Sequence, residues 1–206
     1  NSEGTNSQGE VRVYRFENNN WTQMGNTLIG DLPISYFGVD VRITNDGNRI
    51  AVASFNPTEE STNSVMKGRL IHIYDFNLDS NEWELYSNNP ISFNTIEAIF
   101  AYPEIALSND GSFVSFCSLD GNIASNGYGH SEYNSKIVTI GLSSGGYNFI
   151  SNSDINRRVY RSGYRRIELI EQEGIIMFVE QNTYPQGANG NQYPPAVNYL
   201  AFKVIN

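Results

Sequence analysis

Apolar and polar residues alternate along this chain in short runs that return in the same order. Val39, Val41 and Ile43 alternate with polar residues, a tight Asn45-Asp46-Gly47 turn follows, and Ile50 to Ala53 is a small, continuous apolar run. Period two is the mark of a half-buried strand. Asp-Gly suits a short hairpin because glycine accepts the positive φ of the turn. The unbroken run suits a strand covered on both faces. The same hairpin recurs about 64 residues later, at Pro103 to Phe116 around Asp110-Gly111, and a worn copy follows at Arg165 to Val179 around Glu173-Gly174.

Two further strands recur between these hairpins. Glu10 to Phe16 alternates at period two and is followed by Trp21 to Gly25; Gly68 to Phe76 and Trp83 to Tyr86 repeat that order. Lys136 to Ile140 with Tyr147 to Ile150 forms a third set, and Val197 to Val204 begins a fourth. Long polar stretches, Phe55 to Lys67 and Leu119 to Ser135, are expected to be loops. No stretch carries a helical period. The chain therefore reads as all-β. Four short strands per repeat of about 60–66 residues is the pattern of β-propeller blades, antiparallel sheets that bury their faces against their neighbours.

The expectation is one propeller segment over residues 1–206, with blade parts at about 1–36, 37–100, 101–160 and 161–206. About three blades are present, fewer than the roughly four to eight of closed propellers, so a partial propeller completed by further blades or by partner chains is expected.

Composition narrows the function classes. The chain has 13 Tyr, 11 Phe and few charged residues, and its formal net charge is −9. Nucleic-acid binding needs a basic face, so no nucleic-acid partner is expected. No apolar run reaches the roughly 18 residues of a spanning helix, so no membrane span is expected. The single cysteine, Cys117, permits no internal disulfide and is expected in the core.

Phe37-Gly38-Val39-Asp40-Val41 with Thr44-Asn45-Asp46-Gly47-Asn48-Arg49-Ile50-Ala51-Val52-Ala53 resembles the FG-x-S-V-x-L-S-x-DG-x-R-V-A-V-G unit of FG-GAP-like, integrin-α-type propeller repeats. Gly9 to Tyr14 and Trp21 to Gly25 are similar to the G-x-V-x-V-Y and W-x-Q-x-G half of that unit. The resemblance extends over the whole chain, clearly in the first unit and faintly in the third. It implies an extracellular or surface-exposed binding module, on a cell or a virion. The acidic D-x-D-x-D-G calcium loop of integrin repeats is missing from Phe55 to Lys67 and from Leu119 to Ser135. WD40 repeats are the neighbouring alternative, but their Gly-His and Trp-Asp pairs are absent and their period is shorter, about 40–45 residues.

Catalytic chemistry has little to stand on. His72 lies in a strand and reads as structural; His130 reads as a loop-tip residue. No nucleophile motif and no phosphate-cradling glycine loop precedes a helix. Asn77 to Asn81 opens like a calcium loop, but Glu82 stands where glycine is needed and Asn88 where glutamate is needed, so a turn is expected. No metal, cofactor or catalytic residue is expected. Arg157, Arg158 and Arg161, with Tyr160 between them and Arg165 and Arg166 beyond, form the only basic cluster, and bidentate arginines could hold acidic glycans or a partner's carboxylates. Tyr184 and Tyr193, in the turn-rich stretch from Asn182 to Pro195, are further candidate contacts. Asn20 carries the one N-glycosylation sequon. The expected function is a non-enzymatic binding, adhesion or assembly module with protein or glycan partners. The alternatives are a carbohydrate-active propeller enzyme and an intracellular WD40-like scaffold.

Overall fold

The computed structural model describes residues 8–56, 68–87, 90–94, 105–125, 131–143, 146–154, 164–170, 175–182 and 196–203. The side chains described are those of residues 8–56, 68–87, 90–92, 105–116, 138–143 and 146–148. Every regular element described is a strand. In chain order they are β1 (Glu10–Glu17), β2 (Asn20–Ile29), β3 (Asp40–Ile43), β4 (Arg49–Asn56), β5 (Gly68–Asn77), β6 (Glu82–Leu85), β7 (Ile91–Asn94), β8 (Ile105–Leu107), β9 (Phe113–Ser125), β10 (Ser131–Ser143), β11 (Gly146–Asp154), β12 (Tyr164–Ile170), β13 (Ile175–Asn182) and β14 (Ala196–Lys203). The all-β expectation holds, and every pairing is antiparallel.

The strands form four sheets in which sequence neighbours are spatial neighbours: β1-β2, β3-β4-β5-β6, β8-β9-β10-β11 and β12-β13-β14. Each pairing joins strands close in the chain, so loop closure costs little entropy. Among the described residues neither a closed barrel nor a complete propeller is formed.

The second sheet is packed on both faces, as the continuous apolar run predicts. Ile50, Val52, Tyr74 and Trp83 face Val11, Met24 and Leu28 of the first sheet, with Phe37 among them. Ala51, Ala53, Ile71, Ile73 and Ile91 belong instead to a cluster with Ile105, Leu107, Val114, Phe116 and Leu142 of the third sheet. Odd and even positions of β4 and β5 thus serve different neighbours, which is the pleat's period of two applied twice. The first strands of successive sheets, β3, β8 and β12, lie beside one another, as do the outer strands β2 and β6.

Both Asp-Gly turns are built alike. Gly47 and Gly111 have φ of 73° and 71°. The hydroxyl oxygens of Thr44 and Ser108 accept the amides of Arg49 and Phe113 at 3.1 and 2.9 Å. Asp46 and Asp110 accept the amides of Asn48 and Ser112 at 3.0 and 2.9 Å. In the third hairpin Ile170 pairs with Ile175.

Two boundaries differ from expectation. The outer strand of the second sheet is split: β6 pairs with the end of β5 and β7 with its beginning. Pro90, which has no amide to donate, stands at the break, on a sheet edge where proline is tolerated. The stretch Leu119 to Ser135, expected to be a loop, is largely strand, because β9 and β10 extend as one long hairpin with shifted register at Glu132 to Asn134. A two-stranded ladder satisfies its own backbone there without needing apolar faces. No helix among the described residues is long and apolar enough to cross a membrane.

Candidate functional site

Two features stand out where sheets end or meet. The first lies at the junction of the two Asp-Gly turns. Arg49, the first residue of β4, donates Nε and Nη2 to Oδ1 and Oδ2 of Asp75 at 2.6 and 2.7 Å. Its Nη1 donates to the Gly111 carbonyl at 2.7 Å. The guanidinium lies over the Tyr86 ring at 4.4 Å, and the Tyr86 hydroxyl donates to the Ser143 carbonyl. One planar fork therefore ties β4, β5, the neighbouring turn and the outer strand together. A Cβ at Gly111 would meet Arg49 Cδ at 2.9 Å and Thr44 Cγ2 at 3.0 Å, so glycine is required there for close approach as well as for φ.

At the other end of β3, Asp40 Oδ2 accepts the amide of Ile105 from the next sheet at 2.9 Å, and Oδ1 accepts from Arg42 Nη1 at 2.5 Å. Burial raises the Asp40 carboxyl pKa above its usual value, against the lowering effect of the Ile105 amide and of Arg42. Asp75 and Asp40 are thus each engaged by an arginine. Arg69 is buried over the Phe55 ring at 4.7 Å, and burial lowers its pKa to about 10.

His72 is 6% exposed. It stacks on Tyr74 with ring centroids 6.3 Å apart and meets Phe37 edge-on at 5.3 Å. Its Nε2 lies 3.4 Å from Ser54 Oγ. Ile71 and Ile73 point to the opposite cluster, as expected. Burial lowers the His72 pKa below 6.5, and the charge of Asp31 opposes this only in part. The unfolded chain therefore binds the proton first. The contribution of His72 to stability is complete above pH 6.5 and is lost as pH falls from there toward the folded pKa. Urea unfolding of the parent chain is expected to shift to lower midpoint just below pH 6.5, by up to about 1.4 kcal/mol per pH unit. His72→Gln is expected to remove that component, which a comparison of the two pH profiles checks.

The second feature is the outward face of the first sheet. Tyr14, Phe16, Trp21 and Ile29 are all exposed, Trp21 at 69%. Phe16 and Trp21 are paired across the hairpin, with ring centroids 5.2 Å apart at 52°. Phe76 and Trp83, their counterparts in the second sheet, sit 5.1 Å apart at 57°, yet Trp83 is only 3% exposed. Sequence spacing finds the Trp repeat but not this contrast, because burial depends on which sheet lies next door. Arg49 was legible only as the arginine of the DG-x-R pattern; its partner Asp75, 26 positions away, carries no local signal.

The expected contact residues are placed as follows. Asn20 is exposed, the first residue of β2, opposite Glu17 across Asn18 and Asn19, whose φ values of 51° and 62° suit a two-residue hairpin turn. Arg157, Arg158, Tyr160, Arg161, Tyr184, Tyr193 and His130 lie outside the described residues. Arg165 and Arg166 lie in β12, and Cys117 in β9, at positions whose side chains are likewise not described. Asn77 to Asn81 forms the turn between β5 and β6, with Asn77 Oδ1 accepting the Asp79 and Ser80 amides at 2.9 and 3.3 Å. Comparison with protein-family models, with curated proteins and with solved structures gives no match.

Proposed function

We propose that the chain is a non-enzymatic, surface-exposed module made of FG-GAP-like β-propeller repeats, and that it works by binding and assembly. The observation that carries this reading is the stacking of consecutive antiparallel sheets. The second sheet is buried on one face by the first sheet and on the other by the third, with the first strands β3, β8 and β12 side by side. That is the radial logic of propeller blades. The polar hardware between sheets, Arg49 with the Gly111 carbonyl and Asp40 with the Ile105 amide, supports the same reading, since it joins one sheet to the next.

In this reading the ligand is a protein or glycan surface, and Arg157, Arg158, Tyr160, Arg161, Tyr184 and Tyr193 belong to its contact surface. The chain is placed outside the cell or on a virion, where Asn20 can carry a glycan. Immobilised chain presented to glycan and surface-protein arrays is expected to give saturable binding with the ligand recovered unchanged. Replacing Arg157, Arg158 and Arg161 together by Gln is expected to weaken an anionic ligand about tenfold or more. Recovery of a cleaved glycan would overturn the reading in favour of a carbohydrate-active enzyme.

A further inference from the structure

We propose that the segment from Gly30 to Gly38 is an acid-released latch between the first and second sheets, and that the His72 imidazole is its trigger. The segment joins β2 to β3 and is fastened on both sides. Toward the first sheet, the Phe37 amide and the Ser35 hydroxyl donate to the Gln8 carbonyl at 2.9 and 3.0 Å, and the Gly30 amide donates to the Gly9 carbonyl at 3.1 Å. Toward the second, the Phe55 amide donates to the Ser35 carbonyl at 2.7 Å and the Gly38 amide to the Ala53 carbonyl at 3.1 Å. Ser35 and Phe37 are buried, whereas Asp31, Leu32, Pro33 and Tyr36 stand exposed.

The latch is closed under strain. Ile34 and Tyr36 have φ of 61° and 47°, in the left-handed region that side chains bearing a Cβ rarely adopt. For a β-branched residue such as Ile34 the conformation is a true outlier. It persists only where the surroundings impose it, and the five bonds above do so. Both residues relax when those bonds are released. The segment therefore belongs to the low end of the local opening energies, below the strands it ties together.

His72 lies beneath it, on the face of β5 that looks toward the first sheet. The Phe37 ring meets the imidazole edge-on at 5.3 Å, and Tyr74 stacks on it at 6.3 Å and 15°. From β4 comes the uncharged Ser54, and from the first sheet Val11, Met24 and Leu28 pack around Phe37 and Tyr74. Two titratable groups act here. Burial pushes the Tyr74 phenol up to about 12, so it stays neutral, and Asp31 is an exposed carboxylate in the latch itself. A proton on His72 thus sets a cation between two rings, opposed by burial and only partly answered by Asp31. Releasing the segment takes Phe37 off the imidazole and admits water. Because the latch is where Gln8 and Gly9 meet Ala53 and Phe55, its release loosens the first sheet's hold on the second as pH falls below 6.5.

The test is amide hydrogen exchange on the whole chain at pH 7.5 and 5.5, each rate divided by the intrinsic rate at that pH. The Phe37, Gly38 and Phe55 amides report the latch. They are expected to exchange ahead of the Ile50 to Val52 amides and with little dependence on low urea, because a short segment opens. Their opening is expected to be about tenfold greater at pH 5.5. That is the ceiling for a histidine with an ordinary pKa when open that stays neutral when covered. His72→Gln and His72→Leu have no proton site and are expected to show no such rise. A parent without the rise at these amides overturns the proposal. So does exchange at them only in step with Ile50 to Val52 and with the same urea slope, since acid would then act through global unfolding. A rise that survives in either folded variant removes His72 as the trigger and overturns it too.

Discussion

Trp83→Ala is expected to cost about 4 kcal/mol in urea unfolding, whereas Trp21→Ala is expected to cost less than about 0.5 kcal/mol. The two tryptophans occupy equivalent positions of equivalent strands, so propensity and local sequence predict no such gap. The difference lies in packing. Trp83 is 3% exposed among Val11, Met24, Leu28, Ile50, Val52 and Tyr74. Its indole N–H serves the Met24 carbonyl, and its backbone amide donates to Asn26 Oδ1 at 2.8 Å. Truncation opens a cavity between two sheets and strands a carbonyl inside it. Trp83→Phe should recover most of the loss, since the ring's area matters more than one net hydrogen bond. Equal costs at Trp83 and Trp21 would mean that the first two sheets do not pack as described.

Replacing Arg49 is the other large effect. Arg49→Met is expected to destabilise by about 2 kcal/mol, a figure that discounts the charged bonds because water reaches Asp75. The Asp75 side chain is 42% exposed and that of Arg49 20%. The loss has three parts: the fork on Asp75, the bond to the Gly111 carbonyl and the contact with the Tyr86 ring. Arg49→Lys should recover less than half, because an ammonium is a point donor that cannot span both carboxylate oxygens and reach a third acceptor. A double-mutant cycle with Asp75→Asn checks the assignment: the pair should cost clearly less than the sum of the singles. Full additivity would remove the ion pair from the account.

The strand order was readable from the chain because each strand pairs with its sequence neighbour. Period-two alternation marked β1 and β5, and Asp-Gly marked the turns before β4 and β9. The two-faced burial of β4 was readable too, since Ile50 to Ala53 offers nothing polar to solvent. Strand ends were less legible. Leu119 to Ser135 reads as loop because its residues are polar, yet a two-stranded ladder needs only its backbone partners. The split of the outer strand around Pro90 follows from a residue whose meaning depends on whether its strand is an edge. The inter-sheet contacts were hidden for a different reason. Asp40 reaches an amide 65 positions away and Arg49 a carbonyl 62 positions away, and nothing in either's neighbourhood names its partner. The exposed aromatic face escaped notice for the converse reason: Tyr14, Phe16 and Trp21 match the buried Tyr74, half-buried Phe76 and buried Trp83 residue for residue.

Face-to-face stacking of consecutive sheets is tested most directly by amide hydrogen exchange at three N–H groups whose acceptors lie in another sheet or its turn. These are Asn45 N–H to the Asn109 carbonyl at 3.1 Å, Ile105 N–H to Asp40 Oδ2 at 2.9 Å, and the Trp83 backbone N–H to Asn26 Oδ1 at 2.8 Å. None of the three is protected by pairing within its own sheet. Exchange as slow as that of the β4 and β5 amides is expected at all three. Exchange at the rate of a solvent-exposed amide, with β4 and β5 still protected, would mean that the sheets form but do not dock.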